Sequence, residues 1–133
     1  MTAANVRDLD SGGRGLVQTP DPKVFWFFTA SGMIVKTEDG GKTTHRQKTI
    51  ESIKLLAGSA PDAKTCWLLA EKGMVLRTNN GGKKWATLST PPDVNFTTIT
   101  AFDAMHALIM DRTGDVSYST TDGGATWKAV PRQ

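Results

Sequence analysis

The chain has one cysteine, one tyrosine, two histidines and three glutamates, and none of its apolar runs is long enough to span a membrane as a helix. A lone Cys66 excludes an intrachain disulfide. It sits in the run Cys66-Trp67-Leu68-Leu69 and reads as a small buried hydrophobe. His45 and His106 lie in different parts of the chain without ligand spacing, so no metal and no cofactor is expected. There is no Gly-x-Ser-x-Gly nucleophile elbow. The opening Met1-Thr2-Ala3-Ala4-Asn5-Val6 has neither a basic nor an apolar signal region, so as written the chain reads as cytoplasmic, without membrane insertion.

What is present is ordinary soluble composition: 133 residues, 38% apolar and 22% charged, about one domain's worth. Sixteen Lys and Arg against thirteen Asp and Glu give a net charge of +3. The basic residues are scattered rather than blocked (Lys36, Lys42, Lys48, Lys54, Lys64, Lys72, Lys83, Lys84), which reads as solvated surface and gives no reason to expect a nucleic-acid partner.

The thirteen glycines carry the organisation. Gly32, Gly73 and Gly114 are spaced 41 and 41 apart, and Asp39, Asn80 and Asp122 are spaced 41 and 42 apart. Three copies of one repeat of about 41 residues therefore fill the chain. The third copy has one extra residue between its two turns, which suggests a bulge. Each copy reads as four short strands bounded by Gly, Asp, Asn and Pro. The first is Ile53 to Ala57 or Phe96 to Ala101. The second is Phe25 to Phe28, Cys66 to Leu69 or His106 to Met110. The third is Met33 to Lys36, Met74 to Arg77 or Val116 to Ser119. The fourth is Thr44 to Gln47, Trp85 to Leu88 or Trp127 to Val130. Nothing shows a sustained helical period.

Between the third and fourth strands stand Thr37-Glu38-Asp39-Gly40-Gly41-Lys42-Thr43 and Thr121-Asp122-Gly123-Gly124-Ala125-Thr126-Trp127, with Asn80-Gly81-Gly82 and Trp85 in the middle copy. These resemble the Asp box of sialidases and related β-propellers. The Asp accepts backbone N–H bonds in the turn, the glycines allow positive φ, and the Trp buries a large surface at the blade edge. Asn80 keeps an acceptor without the charge. Thr44 stands where Trp85 and Trp127 stand, so the outer strand of the first blade is expected to be the most loosely held. Asp39, Gly40, Gly41, Asn80, Gly81, Gly82, Trp85, Asp122, Gly123, Gly124 and Trp127 are thus structural turn residues, with no catalytic or metal role.

Residues 16–130 as a whole resemble the β-propeller repeat family of photosystem II assembly and stability factors, and similar domains of bacterial envelope proteins. The boxes, Ala57-Gly58-Ser59-Ala60-Pro61, Cys66-Trp67 and Leu76-Arg77-Thr78 carry the likeness. It implies an all-β fold of three four-stranded blades forming an incomplete ring, and a non-catalytic protein-interaction or assembly role. It also leaves open an extracytoplasmic site if the chain is a piece of a longer envelope protein. The expected layout is a flexible leader (1–15) and one β domain (16–133), with blades at about 16–48, 52–90 and 95–131. Partner-binding loops are expected at Ala60 to Lys64, Pro91 to Asn95, Ala30-Ser31, Glu71-Lys72 and Arg112-Thr113. A propeller typically closes with four to eight blades, so a homodimer completing a six-bladed body is a further expectation.

The alternative is a sialidase-like glycosidase or carbohydrate-binding module. Such enzymes gather three arginines and a Tyr/Glu pair. Here Arg7, Arg14, Arg46, Arg77, Arg112 and Arg132 are dispersed, and Tyr118 has no glutamate on its strand.

Overall fold

The computed structural model describes residues 14–29, 32–47, 54–92 and 94–131. Its β-branched and aromatic runs pair with their sequence neighbours into three antiparallel meanders of four strands. Blade 1 holds β1 (Arg14–Gln18), β2 (Phe25–Thr29), β3 (Ile34–Thr37) and β4 (His45–Gln47). Blade 2 holds β5 (Leu55–Ser59), β6 (Cys66–Ala70), β7 (Met74–Thr78) and β8 (Ala86–Ser89). Blade 3 holds β9 (Phe96–Ala101), β10 (Ala107–Asp111), β11 (Ser117–Thr120) and β12 (Lys128–Ala129). The first strands β1, β5 and β9 lie side by side, so the blades are stacked as an arc around them.

The two sides of β6 show why the blades stack. All five of its residues are buried. Because side chains alternate across a strand, Cys66, Leu68 and Ala70 join Val17, Trp26, Phe28 and Ile34 in a core between blades 1 and 2. Trp67 and Leu69 join Phe96, Ile99, Ala107 and Ile109 in a core between blades 2 and 3. Each fully buried large side chain in these layers stabilises the stack by about 1.5–3 kcal/mol. The central blade has no solvent face. The strand therefore reads as a continuous apolar run rather than an alternating one. Burial also pushes the Cys66 thiol pKa well up, which keeps it an uncharged packing group.

Several boundaries differ from the sequence expectation. β1 takes in Arg14 and Gly15, both of which the expected leader contained. The remaining leader residues, 1–13, lie outside the described residues, as do Ile53, Ala30, Ser31 and Asp93. β5 runs through Gly58 and Ser59, which look like turn residues. Glycine is required at Gly58 because a side chain there would meet Val17 across the blade junction and Leu68, its own cross-strand partner on β6. The extra residue of the third repeat is not a bulge between its turns. β10 and β11 pair in register from Ala107↔Thr120 to Met110↔Ser117, and the added residue lengthens the turn at Arg112 to Asp115. Asp111 Oδ1 closes that turn, accepting from Val116 N at 3.3 Å and Thr113 Oγ1 at 3.1 Å. The bulge in blade 3 sits instead where β9 pairs with Met110 and Asp111. The outer strands of blades 1 and 3 are both short: β4 spans three residues and β12, directly after Trp127, spans two.

Candidate functional site

Each box is a closed ring of hydrogen bonds. In blade 1 Gly41 N donates to Thr37 Oγ1 (2.9 Å), while Asp39 accepts from Thr43 N (2.8 Å) and Thr43 Oγ1 (2.5 Å). Blade 3 repeats this with Gly124 N to Thr120 Oγ1 (2.9 Å), and Thr126 N (3.0 Å) and Oγ1 (2.6 Å) to Asp122. In blade 2 Gly82 N donates to Thr78 Oγ1 (2.9 Å) and Lys84 N to Asn80 Oδ1 (3.1 Å). Lys84 has no hydroxyl for the second oxygen-directed bond. The paired glycines hold φ of 74° and 98°, 76° and 92°, and 75° and 92°, the left-handed region that a side chain strains. The hydroxyl and backbone donors of Thr43 pull the Asp39 carboxyl far below its ordinary 3.8, and those of Thr126 pull Asp122 down to about 2.

The buried threonine of each box is Thr37, Thr78 or Thr120, at 0%, 1% and 3% exposure. The box Trp is not an ornament of its own blade edge. Trp85 packs on the core between blades 1 and 2, and Trp127 stacks edge-on to Trp67 of the preceding blade at 6.3 Å.

Two cations that sequence reasoning passed over link box to box. Lys36 lies over the Trp26 ring (4.9 Å) and donates to Gly81 O in the box of blade 2 (3.0 Å). Arg77 lies over Trp67 (5.6 Å) and donates to Gly123 O (2.6 Å) and Ala104 O (3.3 Å) of blade 3. Both stand one residue before the box threonine, 41 residues apart, and that shared spacing was the available signal. Leu108 and Ser119 occupy the same places in blade 3, so the latch is not repeated there.

Between blades 1 and 2, beside the Lys36 latch, lies an open cleft of about 660 Å³. His45, Arg46 and Gln47 form one wall, and Lys64 with the box from Asn79 to Lys83 forms the other. A smaller cavity of about 250 Å³ lies at the rim of blade 1, between Leu16, Pro20 and Phe25. Of the expected loops, Ala60 to Lys64 contributes Ala63 and Lys64 to the cleft. Glu71 and Lys72 border a separate hollow of about 170 Å³ with Asn95.

Among the described residues, Arg46, Arg77 and Arg112 are not brought together as a sialidase would require. Arg46 is exposed on β4, Arg77 is committed to backbone carbonyls, and Arg112 is exposed in a turn. Arg7 and Arg132 lie outside the described residues. Tyr118 packs edge-on against Phe96 at 5.8 Å.

Residues 15–133 match the family model described as photosynthesis system II assembly factor YCF48. The chain belongs to the YCF48 family. Among solved structures, YCF48 bound to D1 peptide shares 22% identity with a TM-score of 0.72, over 91% of this chain and 45% of that one. YCF48 from Cyanidioschyzon merolae shares 25% identity with a TM-score of 0.71, over 90% of this chain and 36% of that one. The chain therefore spans less than half the length of these YCF48 structures. A GH74 enzyme from Niastella koreensis has the same fold at 21% identity and a TM-score of 0.61, over 90% of this chain and 22% of that one. No curated protein matches the chain.

Proposed function

We propose that this chain is a non-catalytic scaffold that holds a polypeptide segment of a protein undergoing assembly. The observation that carries the reading is membership of the YCF48 family over residues 15–133, with one solved relative described as bound to a peptide. The geometry agrees with it. Stacked blades tied by box, latch and Trp make a stiff frame, and a stiff frame lets loops and clefts present a fixed surface. The GH74 likeness speaks for shared architecture, which does not carry chemistry. Its test is selection of a phage-displayed random peptide library on the folded chain, beside hydrolysis assays on sialosides and glucans. Enrichment of a peptide class without hydrolysis is the expected result. Hydrolysis, or no enrichment at all, would sink the scaffold reading.

A two-chain, six-bladed body is a second reading. The half-exposed Leu16 at the rim of blade 1 favours it. Light scattering over a wide concentration range tests it: a dimer supports it and a well-folded monomer removes it.

A further inference from the structure

The repeats supply their own control for the cleft between blades 1 and 2. Its positive charge comes from Lys36, Arg46, Lys64 and Lys83, against Glu38 as the only acid. Glu38 is two-thirds exposed and lies 3.8 Å from Lys36. Among the described residues no ion pair occupies Arg46, Lys64 or Lys83. One repeat later, at the junction of blades 2 and 3, the same three positions hold Thr87, Met105 and Ala125. That junction closes without any of them, so the fold does not need these cations.

We propose that the cleft binds an extended acidic peptide segment, whose carboxylates meet Arg46, Lys64 and Lys83 and whose backbone lies along the outer edge of β4. The proposal rests on the scaffold reading and specifies its site and ligand chemistry. Three observations carry it. The first is the unneutralised charge, present at one junction and absent from its copy. The second is the edge. Among the described residues β4 is the last strand of its sheet and pairs only with β3. Consecutive residues His45, Arg46 and Gln47 all reach the cleft, so the cleft follows the strand edge and not merely one of its faces. An open edge offers backbone donors and acceptors to an added strand. The third is what the lining lacks. Among the described residues no aromatic ring lines the cleft, so they offer no stacking platform of the kind that holds single-stranded nucleic acid. Lys36 is 5% exposed and engaged in its latch, so it adds field rather than a contact.

The test is fluorescence anisotropy with a labelled peptide of alternating glutamate and valine, its glutamine-for-glutamate counterpart, and oligothymidylate. The variant is Arg46→Thr/Lys64→Met/Lys83→Ala, which writes the second junction's residues into the first. Thermal melting checks its fold, and Lys128→Ala on blade 3 serves as the charge control. The glutamate peptide should bind the parent chain, weaken by about tenfold or more in the triple variant, stay unchanged in Lys128→Ala, and weaken with added salt. Equal binding of the glutamine peptide, unchanged binding in the triple variant, or no binding to the parent overturns the proposal. Oligothymidylate displacing the peptide through the same three residues would overturn it in favour of nucleic acid. If library peptides enrich but bind the triple variant equally well, the cleft assignment fails while the scaffold reading stands. If none enrich, both fail.

Discussion

The two blade junctions are built from the same repeat and end up with different rims. At the junction of blades 2 and 3, Arg77 reaches two carbonyls of blade 3, Trp67 Nε1 donates to Asp103 O (3.0 Å), and Leu88 lies against Gly124. At the junction of blades 1 and 2, Lys36 reaches one carbonyl, Trp26 Nε1 has no hydrogen-bond partner among the described residues, and Gln47 lies where Leu88 does in the copy. Both junctions share an apolar interior. The difference is therefore confined to the rim, where a guanidinium and a leucine seal what an ammonium and a glutamine leave open. Both carbonyls accept from the single nitrogen Nη1 of Arg77, held in place by the rigid guanidinium plane, whereas the Lys36 ammonium is a point charge on a flexible stem.

The comparison can be broken most severely at its apolar base. Trp67→Ala should cost about 3–5 kcal/mol, because it removes a fully buried ring together with its stacking on Trp127. Denaturant unfolding measures it, and a cost below about 1 kcal/mol would mean that the junction is not the source of stability. Arg77→Lys comes next. Replacing the rigid guanidinium, whose Nη1 serves both carbonyls, by a flexible and more strongly hydrated ammonium should cost about 1–2 kcal/mol, while the converse Lys36→Arg should be neutral or stabilising. A larger loss at Lys36 than at Arg77 would reverse the order of the two junctions. Gln47→Leu, which copies the sealed rim into the open one, should stabilise by about 0.5–1 kcal/mol and reduce peptide binding in the cleft.

The smallest effect concerns pH. Asp39 and Asp122 have folded pKa values below their ordinary 3.8, so the stability they contribute is present above about pH 4. It is lost as pH falls through the folded values, which for Asp122 is about 2. Asn80 contributes no such dependence. Asn80→Asp should therefore raise the melting temperature slightly at neutral pH and steepen its fall on acidification, whereas Asp122→Asn should flatten that fall. Melting curves across the acid range check both.

The repeat was legible because its constraints are local. A pair of positive-φ glycines after an Asp or Asn, and a strand rich in Trp, Phe, Leu or Ile, leave their marks at fixed spacing whatever surrounds them. Cys66 to Leu69 was readable as buried on both faces. The strand role of Gly58 was not, since only the approach of Val17 and Leu68 reveals it. Lys36 reads as a surface charge, and neither it nor Arg77 reads as a link between blades, because their partners, Gly81 and Gly123, lie 45 and 46 residues further on.

What the sequence by itself determined is thus the number of blades, the strand content and the box turns, all properties of short windows. Only the tertiary structure decided which blade's cation fastens which box, which face of β6 meets which neighbour, and that one rim is sealed while the other is an open basic cleft. Those outcomes depend on how one blade sits against the next, and contacts made across a junction have no fixed separation along the chain from which they could be read.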